Sequence, residues 1–126
     1  MSESTEIIRP FIRIYTKYRR IVINLNVHDL LGKPPYFEFY WNEEKSLLFI
    51  ASLWEPKKGS FQIPLRFYQS RRNEIALHEE LFFNYLMNKL SWQNDAIYKV
   101  FGDFLPKYNM VGFHMADPIS MERAKR

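Results

Sequence analysis

The chain has 126 residues and no cysteine, so it contains neither disulfide bonds nor a thiolate zinc site. Long hydrophobic runs are missing as well, because none reaches the ~18 apolar residues that a membrane-spanning helix needs. The N-terminal sequence MSESTE is polar and acidic, unlike a secretory signal. These absences predict a protein of a reducing, cytoplasmic setting that has no membrane partner.

The patterns that carry catalysis or hold cofactors are also missing. The four glycines form no phosphate-binding loop, and no serine lies in a GxSxG motif. The three histidines, His28, His78 and His114, are scattered without HxH or HExxH spacing. We therefore expect a protein that is not an enzyme and that binds neither a cofactor nor a metal.

Aromatic residues, by contrast, are abundant. They make up 17% of a chain that is 47% hydrophobic, which predicts a core of large side chains within a single domain spanning 1–126. The formal net charge of +4 is a modest basic excess that is compatible with a nucleic-acid partner.

Residues 8–53 predict one unit of two strands, a short helix and a hairpin. Ile21, Ile23 and Leu25 alternate on one strand face, and Asn26 suits the N-cap of the helix. Gly32 suits the end of that helix, and the prolines that follow it prevent its extension. The expected elements are strands at 11–15, 20–25, 36–41 and 47–51, a basic turn at 17–20, a helix at 27–31 and a hairpin turn at 42–45.

Residues 61–117 repeat this plan in a divergent form, after a linker at 54–60. Ile75 and Leu77 follow Arg72 at the offsets at which Ile23 and Leu25 follow Arg20. Two short β-rich units can also resemble each other by chance, which is the alternative interpretation. The expected second unit has a strand at 61–67, a helix at 78–90 with Leu81, Phe82, Tyr85, Leu86 and Leu90 on one face, strands at 98–101 and 112–116, a looser turn at 102–109 and then a frayed or helical tail at 118–126.

The first unit resembles the N-terminal domain of the AbrB, MazE and SpoVT group of bacterial regulators. Residues 18–24 (YRRIVIN) are similar to the family's GRVVIP segment, residues 27–32 to its short helix ending in LG, and residues 37–45 to its hairpin with an acidic turn. Asn24 replaces the usual proline, and His28 and Asp29 stand where the family's DNA-binding helix carries arginines.

This resemblance implies an α+β fold in which two β-β-α-β-β units close a small swapped-hairpin β-barrel. With both units in one chain, the barrel would be an intramolecular pseudo-dimer. We therefore expect a monomer, or a dimer formed through another surface. The family binds double-stranded DNA through arginines, and Arg13 and Arg20 match such positions.

Basic residues beside the expected strands form the first candidate site. Guanidinium groups bind phosphates and guanine edges, so a shared face would suit a bacterial or phage DNA-binding transcription regulator. Alternatively, these residues only keep exposed strand edges soluble. The candidate nucleic-acid-binding residues are Arg13, Lys17, Arg19, Arg20, Arg66, Arg71 and Arg72.

Surface aromatic residues suggest the rival function. Tyr40, Trp41 and Trp54 exceed what a small core needs, and exposed aromatic residues mark partner sites. The alternative is therefore a protein–protein interaction module, antitoxin-like or an accessory subunit, that has lost DNA binding. The remaining tryptophan, Trp92, is expected to pack in the core where it closes the long helix.

Overall fold

A computed structural model describes residues 9–69, 73–78 and 80–121, which form a mostly antiparallel β-sheet of nine strands curled into a half-barrel, with few helices. The strands are β1 (Phe11–Tyr15), β2 (Arg20–Asn24), β3 (Tyr36–Asn42), β4 (Leu47–Leu53), β5 (Phe61–Gln62), β6 (Glu74–Leu77), β7 (Ile97–Leu105), β8 (Met110–His114) and β9 (Ile119–Met121). The helices are α1 (Leu25–Leu30), α2 (Leu65–Gln69) and α3 (Glu80–Leu90), and a 3-10 turn covers Thr16–Tyr18.

The strand order of the sheet is β5-β3-β4-β8-β7-β1-β2-β6, and β9 pairs separately with β7. Every pair of neighbouring strands is antiparallel. The sheet therefore takes strands from both predicted units and interleaves them. Strands β5 and β6 stand at its two ends.

Alternation of apolar residues sets the inner face of the sheet. Ile12 and Ile14 of β1 lie opposite Ile23 and Ile21 of β2, and all four are buried. Because successive side chains of a strand point to opposite faces, Arg13 lies on the outer face. The core on the inner side is completed by buried residues of other elements, among them Phe37, Leu48, Ile50, Ile75, Phe83, Leu86, Val100, Val111 and Phe113.

Two hairpins of equal loop length belong to this sheet. In the β3–β4 hairpin, Asn42 pairs with Leu47 around the loop 43–46, and in the β7–β8 hairpin Leu105 pairs with Met110 around the loop 106–109. Each loop ends in a left-handed residue, Ser46 with φ 53° and Asn109 with φ 51°. The looser turn predicted for 102–109 is therefore wrong for Gly102–Leu105, which continue β7.

Helix α3 fills the open side of the half-barrel, but not with the predicted face. Phe83 and Leu86 are the fully buried residues of α3, whereas Leu81 is 82% exposed and Tyr85 is 38% exposed. Leu86, Phe82 and Leu90 do pack on the core, and Trp92 beyond the helix stacks on Tyr98 with 5.1 Å between ring centroids. The prediction of an apolar face through Leu81 and Tyr85 was wrong, because the periodic pattern admits two neighbouring stripes and packing selects the one through Phe83.

Two further segments differ from the sequence prediction. The strand expected over 61–67 ends at Gln62, because α2 follows at Leu65. Pro64, directly before the helix, accepts a hydrogen bond of 3.0 Å from the backbone N–H of Phe67. Residues Ile119–Met121, expected in a frayed or helical tail, form β9 against the start of β7. Helix α1 begins at Leu25, two residues before its predicted start, so Asn24 rather than Asn26 occupies the N-cap position.

Candidate nucleic-acid interface

Arg13 projects from the outer face of β1, opposite Val22 of β2 and Lys99 of β7. Its guanidinium pairs with the Glu74 carboxylate and lies 5.9 Å from the centroid of the Tyr15 ring. A carboxylate beside a guanidinium reduces the positive charge that a phosphate would meet. Arg13 therefore lies on the outer face of the sheet, where Glu74 partly neutralises its charge.

Arg20 occupies the same face as the first residue of β2, directly opposite Tyr15. Its guanidinium carbon lies 5.0 Å from the Tyr15 centroid and 5.9 Å from that of Tyr18. The Nε atom of Arg20 is buried and has no hydrogen-bond partner among the residues that the structure describes. Tyr15 thus lies between Arg13 and Arg20 and holds both guanidinium groups near one ring.

The two other cations of the basic turn, Lys17 and Arg19, contact different partners. Lys17 lies over the Tyr18 ring at 5.7 Å, beside Arg20. Arg19, held in a left-handed conformation with φ 50°, donates instead from Nε to Oδ1 of Asn84 on α3 at 3.2 Å and lies 3.8 Å from Glu80. The guanidinium of Arg19 therefore points toward α3, while Arg19 still lines a surface depression with Lys17 and Tyr18.

Arg66 of α2 faces Arg20 across a cleft of about 200 Å³ on the outer side of β2 and β6. Val22, Phe67 and His78 also line this cleft, and so does Glu74, the partner of Arg13. Within the described part of the chain, no carboxylate lies within 4.0 Å of the guanidinium groups of Arg20 or Arg66. The cleft therefore brings together two arginines that have no ionic partner in that part of the chain.

Of the seven candidates, Arg71 and Arg72 lie outside the described residues. The structure thus brings Arg13, Lys17, Arg20 and Arg66 to one region. Arg19 lies at its side, next to Lys17, with its guanidinium turned toward α3. Among the described residues, no group of three or more histidine, aspartate or glutamate side chains is arranged to hold a metal ion.

Two cations of this face were missed by sequence reasoning. Lys99 of β7 lies with its Nζ atom 4.2 Å from the Phe11 centroid and 4.9 Å from that of Phe101, and Arg9 lies 5.1 Å from Phe101. Alternation along β7 would place Lys99 on the outer face. Its closeness to Phe11 depends on the β1–β7 pairing, however, which joins residues far apart in sequence and has no local signal.

The three aromatic residues proposed to contact a protein partner do not lie together. Tyr40, which is 45% exposed, and Trp41 line an apolar cleft of about 370 Å³ between the ends of β5 and β6. The exposed Leu81 lines the same cleft and was assigned to the buried face from sequence. Trp54 is 57% exposed but is not part of this cleft, and the indole of Trp41 donates to the Tyr85 hydroxyl at 3.1 Å.

An ion pair lies beside this apolar cleft. The ammonium group of Lys57 lies 2.7 Å from a carboxylate oxygen of Glu38. This contact, together with a hydrogen bond from the Tyr40 hydroxyl, lowers the pKa of Glu38 below 4.5. The same carboxylate accepts the hydrogen bond of the Tyr40 hydroxyl and raises the pKa of that phenol above 10.0.

Comparison with known proteins gives no match among family models, curated proteins or solved structures. No helix in the described part of the chain is long and apolar enough to cross a membrane.

Proposed function

We propose that this protein is a non-enzymatic nucleic-acid-binding regulator that contacts phosphates through the outer side of β1, β2 and α2. The observation that carries the proposal is the cleft between Arg20 and Arg66, two arginines without an ionic partner among the described residues. Guanidinium groups form strong charge-assisted hydrogen bonds with phosphate oxygens. Lys17 beside Arg20 and Arg13 beyond Tyr15 extend the basic region on both sides.

The environment of Arg20 supports this function further. A buried donor without a hydrogen-bond partner costs free energy, and the Nε atom of Arg20 is such a donor within the described part of the chain. A phosphate in the cleft would attract the guanidinium groups of both Arg20 and Arg66 by its negative charge. Because the Nε atom itself is buried, the phosphate oxygens would bond to the outer nitrogens of the Arg20 guanidinium.

The same proposal includes the finer architecture, a single-chain pseudo-dimer of two AbrB-like units. A twofold rotation would exchange the first four strands with later ones: β1 with β5, β2 with β6, β3 with β7 and β4 with β8. Under this exchange, almost every pair of neighbouring strands on the main path becomes another observed pair. The pairs β2–β6 and β4–β8 map onto themselves, as pairs that lie on a twofold axis must. The pair β1–β2 has no observed counterpart, since its image would be β5 beside β6, the two ends of the path.

The hairpins support the same symmetry at the level of single residues. In the loop 43–46, the backbone N–H of Ser46 donates to the carbonyl of Glu43 at 3.4 Å, and in the loop 106–109 that of Asn109 donates to Pro106 at 3.3 Å. Both donors have left-handed backbone conformations. If the two hairpins correspond, Asn42 matches Leu105 at the start of the loop. Counting back along both strands, Phe37 then matches Val100, and both lie on the inner face of the sheet. A match shifted by one residue would move these side chains to opposite faces of the sheet.

Helix α1 explains why the binding face would differ from that of the family. His28 is 2% exposed, its Nε2 donates to the carbonyl of Pro34 at 2.8 Å, and its ring contacts those of Phe37 and Phe67. A side chain buried in this way is inaccessible to DNA. We therefore assign phosphate contacts to the neighbouring β1–β2 turn and α2.

The test is the affinity for a mixed-sequence DNA duplex across a salt series, measured by fluorescence anisotropy. The double variant Arg20→Gln/Arg66→Gln keeps much of the side-chain volume and removes both charges. We expect weaker binding and a salt slope that is lower by about one unit for each phosphate that the variant no longer binds. Lys107→Gln is the matched control, because Lys107 also lies over a tyrosine ring, Tyr108 at 5.8 Å, but in the β7–β8 loop.

Equal binding by the double variant and the parent would place the site elsewhere. Absence of duplex binding by the parent at low salt would instead favour the second candidate function, a protein-interaction module. The observation behind that candidate is the apolar cleft with the 82% exposed Leu81 beside Tyr40 and Trp41. Exposed apolar side chains gathered around one cleft are typical of a partner site.

A further inference from the structure

Resting on the proposed function, we propose that the outer face of β7, β1 and β2 binds nucleic acid as a single strand, with bases stacked on its aromatic rings. The structural feature is a stripe in which rings alternate with cations. We call it the ring–cation stripe and define it by Phe101, Lys99, Phe11, Arg13, Tyr15, Arg20 and Tyr18.

Strand register builds the stripe. Phe11 lies opposite Phe101 on β7, and Tyr15 lies opposite Arg20 on β2, so directly opposed side chains share the outer face. Lys99 then lies close to two rings, 4.2 Å from Phe11 and 4.9 Å from Phe101. Arg20 reaches Tyr15 at 5.0 Å and the 60% exposed Tyr18 at 5.9 Å. The cations at both ends are therefore held between rings.

The combination of rings and cations selects the ligand class. Proteins that bind single-stranded nucleic acid join a positive surface along the backbone to aromatic rings that stack with bases. Bases inside a duplex are already stacked on one another, so they offer no free face to Tyr15 or Phe11. An acidic peptide would match the cations but has no flat partner for each ring. The stripe thus suits a strand whose bases are exposed.

The length of the stripe fits several nucleotides. Strand β1 alone extends about 13 Å at ~3.3 Å per residue. The ~3.4 Å axial spacing of phosphates in a duplex strand is a lower limit for an unstacked single strand, so β1 spans no more than about four phosphates. The stripe continues past β1 to Tyr18 in the turn, and Arg9 extends it beyond Phe101 at 5.1 Å. Binding modules for single strands occupy sites of similar size.

The cations remain able to leave the rings. Lys99 and Arg20 are half-buried, and a bound strand would replace each cation–ring contact by a base stacked on the ring and a phosphate beside the cation. Lys99 and Arg20 have no carboxylate within 4.0 Å among the described residues, whereas Arg13 pairs with Glu74 and Arg9 lies 3.4 Å from Asp103. Lys99 and Arg20 would therefore move to the phosphates while bases replace them on Phe11 and Tyr15.

The experiment compares a labelled single strand of about 12 nucleotides with the duplex of the same sequence, by anisotropy on the whole chain. The parent should bind the single strand more tightly than the duplex. Tyr15→Leu keeps every charge but removes the ring, so it should weaken single-strand binding about tenfold. Duplex binding should weaken less, and only because the ring also positions Arg13 and Arg20. Tyr108→Leu is the control, because Tyr108 is 61% exposed under Lys107 but lies outside the stripe.

Each other outcome overturns the inference in a distinguishable way. Tighter binding of the duplex than of the single strand removes the single-strand site but leaves the proposed function standing. An equal decrease in affinity for both ligands in Tyr15→Leu would show that the ring only supports the arginines. Polyglutamate that competes as well as an unlabelled single strand would show that charge alone is recognised. Binding of neither nucleic acid at low salt removes the proposed function as well.

Discussion

A single carboxylate, Glu38, joins the first half of β3 to the turn that follows β4. Its partner Lys57 also donates its backbone N–H to the hydroxyl of Ser60 at 3.1 Å, so the ion pair fixes a turn that is already hydrogen-bonded. The pKa of Glu38 is lowered because Lys57, and then Tyr40, hydrogen-bond to its ionised form. Folding and ionisation of this side chain are therefore linked.

The sign of that linkage gives the first residue-scale prediction. A carboxyl group whose pKa is lower in the folded state stabilises the protein above its unfolded pKa, near 4.5, and this contribution is lost as the pH falls through the lowered pKa. Glu38→Gln should therefore have a lower Tm than the parent at pH 7, and the difference should disappear in acid. Thermal denaturation across the pH range 7 to about 2 measures it.

Glu55→Gln is the control for this series, since Glu55 is exposed and has no ion-pair partner among the described residues. The Tm of Glu55→Gln should equal that of the parent at every pH. A Tm difference for Glu38→Gln that stays constant from neutral to acid pH would mean that the ionised carboxylate contributes nothing to stability.

At the scale of elements, two glycines leave room for the aromatic rings of the residues opposite them on neighbouring strands. Gly102 of β7 lies directly opposite Phe113 of β8, and Gly112 of β8 lies directly opposite Phe49 of β4. A Cβ atom at Gly102 would approach the Phe113 ring to 2.7 Å and the carbonyl oxygen of Gly112 to 2.8 Å. The β7–β8 contact therefore requires the absence of a side chain at Gly102.

We predict that Gly102→Ala destabilises the protein by about 1–3 kcal/mol, the usual cost of overpacking a tight core. Phe113 is fully buried and cannot move away, and the carbonyl belongs to the neighbouring strand. Gly112→Ala is the graded comparison, because its Cβ would lie 3.0 Å from the half-buried and adjustable Phe49 ring. Urea denaturation of both variants should rank Gly102→Ala as the less stable, and the reverse ranking would contradict the packing argument.

The elements also show what the sequence could and could not predict. Strands β1 to β4 followed from alternation and from turn residues such as Gly32, because these signals are local. The interpretation failed where a local pattern had two solutions, as in α3, where packing buries Phe83 rather than Leu81. Arg20 was identified as a candidate from its charge and from the family resemblance. Its position over Tyr15 and opposite Arg66, however, depends on strand pairings and on α2, which the sequence did not predict.

At the scale of the whole molecule, neither predicted unit carries a complete sheet. Along the path β5-β3-β4-β8-β7-β1-β2-β6, pairs between the two units alternate with pairs inside a unit, beginning and ending with a pair between units. Each hairpin and the β1–β2 pair therefore has its partners in the other half of the chain. Isolated pairs of strands are at best marginally stable in water, so each unit depends on the other.

This dependence predicts the result of cutting the chain between Lys58 and Gly59, in the exposed turn that joins the halves. The fragments 1–58 and 59–126 should combine one to one when expressed together and reproduce the far-UV spectrum and amide dispersion of the intact chain. Fragment 1–58 alone should be either unfolded or a homodimer, since β2 and β4 lie on the proposed axis and can pair with copies of themselves. Sedimentation and amide NMR distinguish these states. A folded monomer of either fragment would show that one unit closes its own sheet, which is incompatible with the alternating order of strands.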